Sequence, residues 1–185
     1  MNRRTICLQP IGLNDLSMLP AIAEAVERVF DRPARILPPL PIPQQAFNGE
    51  RGQFHSTAVL KSLTPSIPED ALRLIAITNV DLYVPQLNFV FGEAAIDGRV
   101  CIISLCRLNP EFYGASPDRD LFAERAVKEA VHELGHTFGL RHSQSPRSVM
   151  HFSNTIWDTD QKSGEFSAVE GQALHGRLSA LRRAA

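Results

Sequence analysis

The chain has 185 residues, of which 44% are hydrophobic and 21% charged, and its formal net charge is −1. A single domain of this length buries about 70% of the surface its unfolded chain exposes, so it can be stable without disulfides or a structural metal. The near-neutral charge argues against a nucleic-acid or anionic-membrane partner, and no window reaches the ~18 apolar residues of a membrane-spanning helix.

Thr5 to Ile11 reads as a first strand. A helix capped by Asn14 or Asp15 is expected to run to about Phe30, with Leu16, Leu19, Ile22, Ala23, Val26 and Phe30 on one face. Arg35 to Leu37 is a short strand that runs into Pro38, Pro39, Pro41 and Pro43, a rigid extended connection. Phe54 to Leu63 reads as a helix. Strands are expected at Leu72 to Thr78, Leu87 to Ala95 and Val100 to Leu105, with Asp97-Gly98 as a hairpin turn between the last two. A long helix should span about Arg119 to Phe138, with Pro117 and Asp118 at its start, and a last one Ala168 to Arg182. There are no repeats and no low-complexity tract. The pattern is that of one α+β domain with mixed strands and helices.

Cys7, Cys101 and Cys106 are odd in number and lack paired spacing, so they read as buried free thiols in a reducing compartment. Arg3 and Arg4 are followed by Gln9, Pro10, Asn14 and Asp15 instead of a long apolar core, which does not make a secretion signal. The expectation is a cytoplasmic monomer.

The informative window is H-E-L-G-H-T-F-G-L-R-H, residues 132 to 142. His132 and His136 are four apart on a helix and therefore project from one face, where two imidazoles can grip one zinc ion. Glu133 directly follows the first histidine and is placed as the general base for a water at the metal. Gly139 supplies the left-handed residue that turns the chain back, so that His142 becomes a third ligand. Three protein ligands leave a position open, as in a catalytic zinc site.

This eleven-residue pattern resembles the metzincin metallopeptidases, which also place a methionine in a tight turn under the metal. Met150, in S-V-M-H-F, is the candidate for that soft floor. The short step from His142 to Met150 narrows the likeness. So do T-N-V-D-L-Y-V-P at 78 to 85, N-F-V-F-G-E-A at 88 to 94, F-S-N at 152 to 154 with Thr159-Asp160, and A-F-N-G-E-R-G-Q-F at 46 to 54. Together they resemble archaemetzincin, over nearly the whole chain. The resemblance implies a single metzincin-like domain: a twisted mixed β-sheet, an active-site helix below it and a small C-terminal helical part. Residues 1–142 would form the upper subdomain and 143–185 a short lower one.

One departure is specific. Archaemetzincins typically carry four cysteines that hold a second, structural zinc, two of them just after the third histidine. Here those two positions are Ser143 and Ser148, and no cysteine follows Cys106. Serine hydroxyls do not ionise near neutral pH, so one catalytic zinc and no structural zinc are expected, with hydrophobic or hydrogen-bonded packing holding residues 143–171. Phe152 stands where some metzincins have a tyrosine near the metal, and it can neither ligate nor donate a hydrogen bond. His151 is expected to point away, and His55 and His175 to lie outside the site.

The implied activity is hydrolysis of a peptide or protein substrate. An extended peptide would pair with the sheet's edge strand, for which Val100 to Leu105 is the best candidate, with residues 92–94 near the rim. Two other readings stand beside this one: a zinc hydrolase of a non-peptide amide, and a catalytically silent binding protein of the same fold. Nothing in the sequence specifies the substrate-binding residues.

Overall fold

The computed structural model describes residues 4–183; of the pair Arg3 and Arg4, Arg3 lies outside them. In chain order the elements are β1 (Thr5–Pro10), α1 (Leu19–Phe30), β2 (Ala34–Ile36), β3 (Phe47–Asn48), β4 (Gln53–His55), α2 (Ser56–Leu63), β5 (Ala71–Thr78), β6 (Leu82–Tyr83), β7 (Gly92–Ala94), β8 (Val100–Ser104), α3 (Arg119–Thr137), α4 (Ile156–Gln161) and α5 (Ala168–Arg183). The main sheet has the order β2-β1-β5-β8-β7. Its first four strands are parallel and β7 is antiparallel to β8. A small second sheet joins β3, β4 and β6.

The central strands are apolar on both faces, as strands covered on both sides must be. Successive side chains alternate between two layers. Ile75, Ile77, Cys101 and Ile103 pack with α1 and α3, whereas Leu74, Ala76, Val100 and Ile102 pack with α2. α3 is buried on nearly all sides from Arg125 to Thr137, because the sheet covers one face and the C-terminal segment the other. Its buried cations are matched by that segment: Arg125 bonds Asp160 through two nitrogens at 2.7 and 2.8 Å, and Lys128 Nζ donates to the Thr159 and Asp160 carbonyls. Asp118 caps the helix by accepting from the Leu121 N–H.

The mixed α+β architecture matches the sequence reading, with local corrections. α1 begins at Leu19 and not at Asn14 or Asp15. A helix starting at Asp15 would put Pro20 in its interior, where the ring clashes with the preceding turn; starting at Leu19 places it in the first turn. Asp15 instead closes a turn by accepting from the Ser17 N–H at 2.8 Å. The segment expected as a helix from Phe54 opens as strand β4 and becomes helical only at Ser56. Of the strand expected at Leu87 to Ala95, only Gly92–Ala94 forms a strand; Val90 makes a single antiparallel bridge to Leu82, and Asn88 gives its carbonyl to Arg51 and Gln53.

The predicted hairpin is present. Asp97 adopts a positive φ of 59°, and the Gly98 N–H donates to the Ala95 carbonyl at 2.9 Å. Its consequence corrects the edge assignment. Val100–Ser104 is an inner strand, flanked by β5 and β7, and the outer edge is Gly92–Ala94. The reason is burial: all five residues of β8 are buried, whereas β7 is half-buried and takes the exposed position. Cys7, Cys101 and Cys106 are free thiols. No helix among the described residues is long and apolar enough to cross a membrane.

Candidate metal centre

The last two turns of α3 carry His132, Glu133 and His136, and the chain then reverses at Gly139, whose φ is +78°. The reversal is closed by the Gly139 N–H on the His136 carbonyl (2.8 Å) and the Leu140 N–H on the Gly135 carbonyl (3.1 Å). The positive φ is what calls for glycine here, since a Cβ would otherwise meet only the movable ends of the Asp97 and Arg177 side chains. The turn returns His142 to the two helical histidines. Nε2 of His136 lies 3.1 Å from that of His132 and 3.2 Å from that of His142. Among the described residues these three are the one group of three or more potential ligands whose donor atoms converge.

The other ring nitrogens are tied down. His132 Nδ1–H donates to the Val149 carbonyl at 2.7 Å and His136 Nδ1–H to the Leu140 carbonyl at 2.8 Å. A carbonyl can only accept, so each Nδ1 keeps its proton and each Nε2 presents a lone pair to the centre. Burial pushes His132 well below the usual imidazole value and lowers His136, and His142, on the exposed side of the group, falls to about 4 through partial desolvation and the nearby charges of His136 and Lys162. Neutral imidazoles with inward lone pairs repel one another unless a cation sits between them. Two nitrogens about 2.0–2.1 Å from a tetrahedral zinc would lie roughly 3.3 Å apart, close to the spacing found. The residues fit a zinc ion.

A cavity of about 660 Å³ opens over this group. Its charged walls include Glu93, Glu129, Glu133 and Lys162. Burial first, and the like charge of Glu129 second, push the Glu133 carboxyl well above the usual range, against an opposing pull from Lys162. Glu133 Oε2 is buried without a hydrogen-bond partner. Gly92 on the edge strand lets it stand there, since a Cβ at that position would lie 2.6 Å from Glu133 Cγ.

Met150 is fully buried in the turn below α3, where Gly135 leaves room for its sulfur; a Cβ on Gly135 would be 2.7 Å from Met150 Sδ. The turn is fixed by Ser148 Oγ, which accepts from the Met150 N–H at 3.0 Å, and by the Ser143 N–H on the Met150 carbonyl at 2.9 Å. The expected hydrogen-bonded packing of this region is present and centres on Glu170. Its carboxylate accepts from Ser143, from Ser148 Oγ and from the Ser167 N–H.

Phe152 packs its ring 4.9 Å from that of His142 and forms cleft wall. His151 is turned to the Ser143 carbonyl, as expected, and His175 is exposed on α5. His55, by contrast, lines the cleft and stacks on Tyr83. The sequence reading placed residues 92–94 near the rim without singling out Glu93, which lies on β7 and accepts from Ser56 and Thr57. It missed Glu129 and Lys162. Glu129 is one turn before Glu133, and that i, i−4 spacing was a usable signal, whereas Lys162 follows α4 at a position with no local signature.

A sheet edge above a helix that carries a converging three-histidine group is the arrangement of a zinc metallopeptidase. The comparisons with known proteins make the class specific. The model of Peptidase family M54 matches residues 24–174, and the chain belongs to that family. It is 47% identical over 157 residues to the archaemetzincin of Methanocaldococcus jannaschii, covering 85% of each chain, and 45% identical over 168 residues to that of Pyrococcus furiosus, covering 87% of each. Among solved structures, archaemetzincin from Methanopyrus kandleri superposes with a TM-score of 0.83 at 32% identity, over 96% of this chain and 97% of that one. Archaemetzincin from Archaeoglobus fulgidus, complexed with malonate, gives 0.81 at 32% identity, over 91% and 99%.

Proposed function

We propose that this chain hydrolyses peptide bonds at a single zinc held by His132, His136 and His142, with Glu133 as general base. The observation that carries the reading is the set of three neutral imidazoles whose Nε2 atoms converge while the two helical rings are locked by Nδ1–H donation. When bound, zinc supplies a Lewis acid and lowers the pKa of a bound water towards ~7. Glu133 takes the proton of the attacking water on its unpartnered oxygen and returns it to the leaving amine. Its buried setting favours holding that proton between the two transfers. Lys162, whose Nζ is 3.7 Å from Glu129 Oε2, keeps the neighbouring carboxylate from standing uncompensated beside the base. The outer edge of β7 offers its free backbone groups to an extended substrate.

Of the described residues, the same reading assigns those up to 142 to an upper subdomain and those from 143 to a short lower one. It assigns no second metal, because Ser143 and Ser148 are engaged with Glu170. Metal analysis should find one zinc per chain, and two would overturn the single-site assignment. Glu133→Gln should keep the zinc and lose hydrolysis of a quenched peptide; retained hydrolysis would remove Glu133 from the base role. His142→Ala should weaken zinc binding, and unchanged affinity would exclude it as a ligand.

A further inference from the structure

We infer that an apolar pocket beside the metal cleft is a second substrate subsite, which receives a large apolar side chain on the C-terminal side of the scissile bond. The pocket measures about 490 Å³ and is walled by Phe89, Pro110, Tyr113, Leu121, Ile156 and Trp157. It shares Phe89 and Asn154 with the metal cleft, so a peptide lying in one reaches the other without leaving the surface. The inference rests on the cleft being the peptide-binding site.

The pocket also contains two guanidinium groups, but both are already satisfied. Arg107 is paired with Asp81 at 2.7 Å and lies over the Phe89 ring, and Arg125 is paired with Asp160. What remains open to a ligand is apolar surface. Trp157 is 71% exposed and Tyr113 47%, although both are large rings that folding could have covered. Side chains of this kind anchor partners when a second surface covers them. The wall is rigid as well as apolar. Asp158 closes a capping box with Thr155 at the start of α4, which fixes the helix that presents Trp157.

The edge strand sets the direction. Gly92 touches Glu133, and Phe89 lies three residues before it, toward the pocket. A peptide pairing antiparallel to β7, the arrangement more stable per residue, runs with its C-terminal part toward Phe89. The residues of the leaving group therefore reach the pocket.

Trp157 is the chain's one tryptophan, so its fluorescence reports the pocket directly. The zinc-loaded Glu133→Gln protein would be titrated with blocked octapeptides that differ at one position, Phe or Leu against Gly or Asp. A saturable blue shift with Phe and Leu and none with Gly or Asp is expected. With the active enzyme, mass-spectrometric mapping of cut sites should find Phe and Leu enriched on the C-terminal side of the bond. Trp157→Ala should collapse the Phe-over-Gly ratio of kcat/KM by about tenfold, and Trp157→Phe should retain most of it. Cutting without apolar preference, a preference on the N-terminal side, or an unchanged ratio in Trp157→Ala would overturn the subsite. Saturable fluorescence without cutting would sink the peptidase reading and leave the subsite standing. Peptides neither bound nor cut would overturn both.

Discussion

Gly92→Ala is the sharpest test of how the edge strand and Glu133, the proposed base, are fitted together. A Cβ at Gly92 would lie 2.6 Å from Glu133 Cγ, 2.8 Å from Glu133 Oε1 and 2.7 Å from the Ile102 carbonyl oxygen. Ordinary carbon contacts are about 3.5–4.0 Å, so roughly 1 Å must be found somewhere. The strand cannot retreat freely, because Glu93 and Ile102 are paired partners in β7 and β8. The Glu133 side chain is the part able to move, and a displacement of about 1 Å at a reacting group costs on the order of 100-fold. The added crowding should also cost about 1–3 kcal/mol of stability, which in a domain of this size lowers the melting temperature by several degrees. Three measurements decide it: kcat/KM on a quenched peptide, zinc content and the melting curve. The expected outcome is a loss near 100-fold with zinc retained. A variant with full zinc and unchanged kcat/KM would refute the claim that β7 presses on the base. Gly135→Ala is the milder comparison, because the atom it meets belongs to the flexible end of Met150.

Lys162→Met should destabilise the metal-free protein by about 3–5 kcal/mol in urea unfolding, because it strips the cation from buried Glu129. Adding Glu129→Gln should recover much of that loss, and simple additivity of the two changes would show the pair is not coupled. Glu170→Ala should cost about 1–2 kcal/mol by leaving Ser148 and the Ser167 N–H without their acceptor. The same cluster gives a pH dependence of known sign. Partial burial works against the Glu170 carboxylate, but hydrogen bonds from Ser143, Ser148 and Ser167 hold its pKa below the usual value. The unfolded chain therefore protonates first as pH falls, and the cluster's stabilisation is complete above about pH 4.3 and drains away as pH drops through the lower folded value. A Glu170→Ala variant that loses stability over pH 5 to 3 as steeply as the parent would contradict this. Chelating the zinc should leave the circular dichroism spectrum intact, and free zinc at 100 times Kd should then add about 2.7 kcal/mol; unfolding on chelation would mean that the metal holds the fold.

What could be read in the sequence was what is local in it. The strands of the main sheet follow from runs such as Ala71–Thr78 and Val100–Ser104, and α3 follows from its Asp118 cap and its terminating Gly139. The candidate site is legible for the same reason: His132, Glu133 and His136 share one helix, and His142 follows the reversal at Gly139. The misreadings share a different cause. Which of two hairpin strands faces outward depends on what packs against them, and β8 became the inner strand because both its faces are covered. The start of α1 was decided by Pro20, a single residue that overrode an otherwise continuous apolar face.

The electrostatics of the cleft were hidden because they are assembled from four separate places. Glu129 and Glu133 come from α3, Glu93 from β7 and Lys162 from the segment after α4. In their ionised forms these three carboxylates outweigh the one ammonium by two charges, while desolvation and neighbouring positive charge lower the pKa values of all three imidazoles. The buried part of that excess is costly, and part of the adjustment is the raised pKa of Glu133, pushed up by burial and by the like charge of Glu129. On the proposed function, a divalent cation among the three Nε2 atoms would cancel the excess and let Glu133 ionise as a base must. The proposed metal and base would thus be coupled through the charge of the whole cleft. Lys162 belongs to that balance although it touches neither of them at hydrogen-bond distance, and a reading confined to residues 132–142 could not have included it.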